Sequence, residues 1–114
     1  MPPGRLTMKT RLADVTDATF AEEVLAADLP ILLKFTADWC PPCHQLSPVL
    51  AAIATERAGE LKVAELNVDH NPATAAAYGV LSVPTLILFR AGEPVTSLVG
   101  ARSKQRLLRE LDGR

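Results

Sequence analysis

Cys40 and Cys43 are the only cysteines in the chain, and Pro41 and Pro42 lie between them. Thiols at this spacing can be joined and released reversibly, so the chemistry they suggest is dithiol–disulfide exchange. That chemistry needs a thiolate near neutral pH. The flanking residues supply a means: Ile31 to Phe35 is an apolar run of buried-strand length, and Gln45 to Arg57 has helical character. The pair therefore sits where a strand hands over to a helix N-terminus, whose unpaired N–H groups and dipole favour an anion.

Other uses of the two thiols fare worse. A structural disulfide closing so short a loop removes little unfolded-chain entropy. A metal site usually takes four ligands, yet His44 and His70 are the only histidines and no second cysteine pair exists. Inert core thiols would need neither the helix start nor the two prolines. Redox chemistry without a metal is the favoured reading.

The rest of the chain must position this pair. Its 114 residues, 48% of them hydrophobic, suffice for one domain with a real core. A net charge of −1 gives no pull toward nucleic acid or an anionic membrane. No run approaches the roughly 20 apolar residues of a membrane span. The first twelve residues hold no apolar stretch for a signal-peptide core. The expectation is a soluble cytoplasmic protein, with thiols kept mostly reduced.

Strands and helices alternate. A short strand is expected near Arg11 to Val15, then a helix opened by the capping-box spacing of Thr19 and Glu22 and running to about Ala27. Ile31 to Thr36 and Leu61 to Val68 read as strands. The helix between them has Pro42 in its first turn and should kink at Pro48. Pro72 to Tyr78 is a short helix stopped by Gly79. Leu86 to Phe89 and Val95 to Val99 are strands around an Ala91–Pro94 turn, and Ser103 caps a last helix to Leu111. Such an order implies a mixed sheet covered on both faces, an α/β fold.

From about Leu12 to Leu111 the chain resembles a thioredoxin. The resemblance is carried by Phe35-Thr36-Ala37-Asp38-Trp39-Cys40-Pro41-Pro42-Cys43, by Leu66-Asn67-Val68-Asp69-His70-Asn71-Pro72, and by Tyr78-Gly79-Val80. Val83-Pro84-Thr85, Gly92 and Val99-Gly100-Ala101 complete it, in order across roughly a hundred residues. It implies a thioredoxin domain over residues 11–114; residues 1–10, with Pro2, Pro3 and Gly4, read as a flexible N-terminal extension. It also implies a central mixed β-sheet flanked by helices on both faces.

The implied activity is reduction of disulfides in protein substrates through a redox-active Cys40–Cys43 disulfide, with no bound cofactor. Cys40 would be the exposed nucleophile and Cys43 the buried resolving thiol. Trp39, Val68, Val83, Pro84, Gly100 and Ala101 match the family's substrate-contact surface. By the same resemblance the Val83–Pro84 bond is cis, although only ~5% of X–Pro bonds are. Electrons would come from an NADPH-dependent thioredoxin reductase, and a monomer is expected. Two other functions stand beside this one: a redox-inactive binding module using the same surface, and a more oxidising isomerase or oxidase.

Several residues depart from the family pattern. Lys34 stands where thioredoxins usually carry a buried aspartate, and Glu65 where they carry its lysine partner. Both alternate against apolar neighbours and are expected to pair with exchanged charges, because a lone buried charge would cost several kcal/mol. Lys34 would lower the pKa of Cys43 directly, leaving Glu65 as candidate base; a pair kept for core electrostatics is the competing reading. Pro41 replaces a glycine and removes a backbone donor near Cys40, so Pro41 and Pro42 tune the site. Thr36 replaces an aromatic, making that side smaller and more polar, and Ser82 replaces a glycine. His44 reads as an exposed helix residue. Asp69, His70 and Asn71 read as caps for the next helix. Asp38 and Glu65 are not read as a hydrolytic pair, since nothing suggests a cleft between them.

Overall fold

The computed structural model describes residues 12–113, so the expected extension at residues 1–10 lies outside the described residues. Its elements are β1 (Ala13–Asp14), α1 (Ala21–Leu25, a wide π-helical turn), β2 (Ile31–Thr36), α2 (Pro41–Glu56), β3 (Lys62–Asn67), α3 (Pro72–Ala77), β4 (Thr85–Arg90), β5 (Glu93–Val99) and α4 (Lys104–Leu111). The strands form one sheet in the order β1-β3-β2-β4-β5. β1, β3 and β2 run parallel; β4 joins β2 antiparallel and β5 joins β4 antiparallel as the edge.

Strand alternation divides the core into two layers. Leu32, Val63, Leu86 and Leu88 face one side, where Leu46, Leu50 and Ile53 of α2 and Leu107 and Leu111 of α4 cover them. Ile31, Leu33, Phe35, Ala64, Leu66, Ile87 and Phe89 face the other, with Phe20, Val24 and Ala75. On that side Phe20, Tyr78 and Phe89 meet edge-on or tilted, with ring centroids 5.2–5.6 Å apart. The same parity puts Lys34 with Leu32 on the α2 face. Sequence pattern thus decides which helix faces the buried Lys34 cation.

Several boundaries differ from expectation for local reasons. α2 begins at Pro41, with Pro42 in its first turn as expected and Pro41 beside it, where no N–H is needed. It runs unbroken past the exposed Pro48 to Glu56. β5 takes in Glu93 and Pro94, which the sequence assigned to the turn. As an edge strand it tolerates a proline, and the register shifts opposite Leu88 and Phe89. The turn shrinks to Ala91 and Gly92, both at positive φ as a tight hairpin with right-handed twist requires. A side chain at Gly92 would also meet the Leu25 carbonyl oxygen at 3.0 Å.

α1 lacks the side-chain cap that its Thr19–Glu22 spacing predicts; Thr16 and Thr19 instead bond each other in the turn before it. Thr16 Oγ1 accepts from Thr19 N at 3.2 Å, and Thr19 Oγ1 accepts from Thr16 N at 2.9 Å. α3 is also capped by a residue other than the ones expected. Asn71 makes no cap bond to it and instead accepts from Asp17 N. The cap is Asp17, far away in sequence, whose carboxylate accepts from Thr74 Oγ1 (2.7 Å), Thr74 N (2.9 Å) and Ala73 N (3.1 Å). A carboxylate at a helix N-terminus also complements its dipole.

The Thr74 hydroxyl, aided by the two amides and opposed by partial desolvation, holds the Asp17 carboxyl below its ordinary 3.8. A depressed carboxyl contributes stability above its unfolded value and loses it as pH falls through the folded value. Asp17→Asn should therefore lower stability at neutral pH and flatten its fall below about pH 4. Urea unfolding across acid pH tests this; an acid limb identical to wild type would sink it.

Candidate active site

Cys40 is the N-cap of α2, extended at φ −103°, ψ 99°, and its Sγ accepts the Cys43 amide at 3.2 Å. A sulfur thus takes the place of the usual cap oxygen bonding the N3 amide. This answers the expected loss of a donor at Pro41: the Pro41 nitrogen has none, but Cys43 N still reaches the sulfur. Pro41 and Pro42 are exposed at the first two helical positions.

The two cysteines are joined as a disulfide, with Cα atoms 5.3 Å apart, inside the usual range for a bridged pair. Cys43 is fully buried within the first turn. Cys40 was expected to be exposed and is only 2% accessible in this oxidised form. Its sulfur is turned onto Cys43 and lies 3.7 Å from the Val83 carbonyl oxygen, while Ala37, Val68 and Val83 pack around the pair.

Three separate segments converge here. The Val83–Pro84 bond is cis, and Pro84 is buried. Its carbonyl accepts from Gly100 N at 2.9 Å, so the β5 end is brought beside the cis-proline loop. Ala101 follows, exposed. Arg102 holds that loop: its guanidinium donates to the carbonyls of Val99 and Gly100 and pairs with Glu110 of α4 at 2.7 Å. Trp39 is 67% exposed and donates from Nε1 to Asp69 Oδ2 at 2.8 Å, so Asp69 orients the indole and does not cap α3. Trp39, Val68, Val80, Leu81, Ser82 and Val83 line a shallow, mostly apolar pocket of about 120 Å³. Leu81 is 98% exposed at its edge. Its place in the loop leading to Val83-Pro84 was the sequence signal for it.

His44 is exposed, and its Nε2 lies 2.8 Å from the Asp38 carbonyl. That contact ties it to the loop before the cysteines and not to Cys40.

Beneath the disulfide, Lys34 is 1% exposed. Its Nζ donates to the Cys43 carbonyl at 3.0 Å and to Ser47 Oγ at 2.8 Å, and lies 3.5 Å from Glu65 Oε1. Lys34 and Glu65 are register partners across the parallel β2–β3 ladder, so the pair is built by strand register. Burial pulls the ammonium below the ordinary lysine value of 10.5, and the Glu65 carboxylate opposes that pull. Ser47 went unremarked in the sequence, although it stands one helical turn after Cys43 and so on the same face.

Glu65 is partly exposed because it also lines a polar cleft of about 370 Å³ with Asp14, Thr16, Thr36, Asp38, Asn67 and Asn71. Asp38 and Glu65 thus border one cleft that the sequence did not suggest. The small Thr36 on its wall matches the more polar side expected there. Among the described residues no three His, Cys, Asp or Glu side chains gather as metal ligands, and no helix is long and apolar enough to cross a membrane.

A thiol pair at a helix N-cap, beside a cis-proline loop and on a mixed sheet, is a geometry for disulfide exchange. The comparisons agree with it. The family model described as Thioredoxin matches residues 11–113. A protein of Mycobacterium bovis named "Thioredoxin" is 54% identical over 103 residues, covering 90% of this chain and 89% of the relative. One of Streptomyces clavuligerus with the same name is 51% identical over 98 residues, 86% and 91% of the two chains. A Mycobacterium leprae protein named "Bifunctional thioredoxin reductase/thioredoxin" is 49% identical over 86% of this chain and 21% of its own length. On fold, site and sequence together, the chain belongs to the thioredoxin family and is a thiol–disulfide oxidoreductase acting on protein disulfides.

Proposed function

We propose that this chain works as a reductase of protein disulfides, with Cys40 as nucleophile and Cys43 as resolving thiol. The observation that carries the reading is the asymmetry of the pair: Cys40 caps α2 at the convergence of three surface loops, while Cys43 lies within the helix over the Lys34 ammonium. Cys40 thiolate attacks a substrate disulfide, forming a Cys40–substrate bond as one substrate sulfur leaves with a proton. Cys43 then attacks Cys40 Sγ. The Cys40–Cys43 bond forms, the mixed disulfide breaks, and the second substrate sulfur leaves as a thiolate that takes a proton. Two electrons pass from the protein to the substrate, and no bound cofactor takes part.

Trp39, Val68, Val83, Pro84, Gly100 and Ala101 form the docking surface, with Leu81 extending it. Lys34 favours the Cys43 thiolate electrostatically, and Glu65, open to the cleft, accepts its proton through water. The reduced form is regenerated by an NADPH-dependent thioredoxin reductase. The fused arrangement named for the Mycobacterium leprae relative supports such a partner. The protein acts as a cytoplasmic monomer, with residues 11–114 as its domain.

Trp39, the only tryptophan, is adjacent to Cys40 and reports the redox state. Titrating its fluorescence against dithiol/disulfide buffers should give one two-electron transition at a strongly reducing potential. An oxidising midpoint would replace the reductase by an isomerase or oxidase. Failure to form the disulfide at all would leave a binding module.

A further inference from the structure

An ammonium has three N–H donors; Lys34 donates to the Cys43 carbonyl and to Ser47 Oγ and ion-pairs with Glu65 at 3.5 Å. The Ser47 hydroxyl is itself bonded back to the Cys43 carbonyl at 3.3 Å. Lys34, Ser47 and the Cys43 carbonyl therefore close a triangle, with Glu65 pulling from outside it. That pull is directional. Glu65 carries the opposite charge and borders the cleft of about 370 Å³, so a lysine on its flexible four-carbon stem, released from Ser47, shifts toward carboxylate and water.

We propose that Ser47 is a positioning residue: its hydroxyl holds the Lys34 cation on the Cys43 side of the pair, so that the charge is in place when Cys43 attacks the mixed disulfide. The proposal rests on the reading that Lys34 acts on Cys43. It adds the residue that decides whether Lys34 serves the thiol or only Glu65.

The test follows Cys43 alone. In a Cys40→Ser protein, the thiolate absorbance of Cys43 is titrated with Ser47 intact, replaced by Ala, and replaced by Thr. Lys34 pairs with Glu65, Asp14 and Asp38 border the same cleft, and His44 follows Cys43 in α2; all of these stay constant across the three proteins. Ser47→Ala should move the midpoint upward and, in the protein with both cysteines, slow single-turnover resolution of a mixed disulfide about 3–10-fold at neutral pH. Ser47→Thr keeps a hydroxyl and should restore both. With Lys34→Met already present, Ser47→Ala should move neither readout. A Ser47→Ala protein with lowered unfolding midpoint but unchanged titration and resolution would make the serine merely structural. An equal shift with and without Lys34 would also overturn the proposal. Failure of the wild-type protein to reduce protein disulfides would refute the reductase reading instead, while the Cys43 titration still judges Ser47.

Discussion

Cys43→Ser should turn the protein from a reductase into a trap. Cys40 keeps its place at the α2 N-cap, so attack on a substrate disulfide still occurs. Resolution does not, because the second thiol has gone. The intramolecular thiol owes its advantage to proximity: its sulfur is held one helical turn from Cys40, with Cα atoms 5.3 Å apart. Well-oriented intramolecular groups reach effective molarities of about 10⁵ M or more, far above any free thiol in solution. Turnover with a protein disulfide should fall at least about 10³-fold, and a covalent adduct of protein plus substrate should appear by mass spectrometry. Cys40→Ser should lose turnover without any adduct. If Cys43→Ser retained turnover, or if the adduct formed only through Cys43, the assigned roles would be wrong.

Reversing the Lys34–Glu65 pair has the second largest expected effect. Lys34→Asp alone places a buried carboxylate against Glu65 across the β2–β3 register, beneath the Cys43 carbonyl. Replacing one partner of a buried pair typically costs about 3–5 kcal/mol, and like charges here give no relief. Adding Glu65→Lys rebuilds the arrangement usual in the family and should recover most of the loss. Urea unfolding of wild type, both single variants and the double closes the cycle. A Lys34→Asp cost below ~1 kcal/mol would show that the pair contributes little.

Resolution kinetics separate stability from mechanism. The double variant is stable but carries an anion where wild type has a cation, so resolution at neutral pH should slow by roughly tenfold for each unit the Cys43 pKa rises. Unchanged kinetics would reduce the pair to core electrostatics. Burial pulls the Lys34 ammonium below 10.5, so its penalty is full below the folded value and fades as pH climbs from there toward the unfolded one. Stability therefore gains across that window. Glu65→Gln removes the opposing carboxylate and should widen it.

Much of this protein was legible in its residues. Ile31–Thr36 shows a buried strand by its largely apolar run, Ser103 caps α4 as its type and place indicated, and Cys40 and Cys43 declare themselves by spacing at a strand-to-helix junction. Lys34 and Glu65 were also predicted to meet, because strand parity constrains both. Each of these is a local matter, decided by neighbours within one element or by the period of a strand.

What the sequence could not reveal depends on contacts between distant segments. Asp17 caps α3 from more than fifty residues away, where the sequence offered the adjacent Asn71. The 370 Å³ cleft exists because β1, the loop before Cys40 and the loop after β3 meet around Thr36. Ser47 joins Lys34 only because α2 lies across β2. By itself the sequence determined the reactive pair, the order of elements and the exchanged charges, since side-chain type and periodicity carry that information along the chain. The tertiary structure decided which polar groups those charges bond, how Cys40 is covered, and which loops surround it. Those depend on packing helices against a sheet, where a hydrogen bond is set by distances in space that no spacing along the chain records.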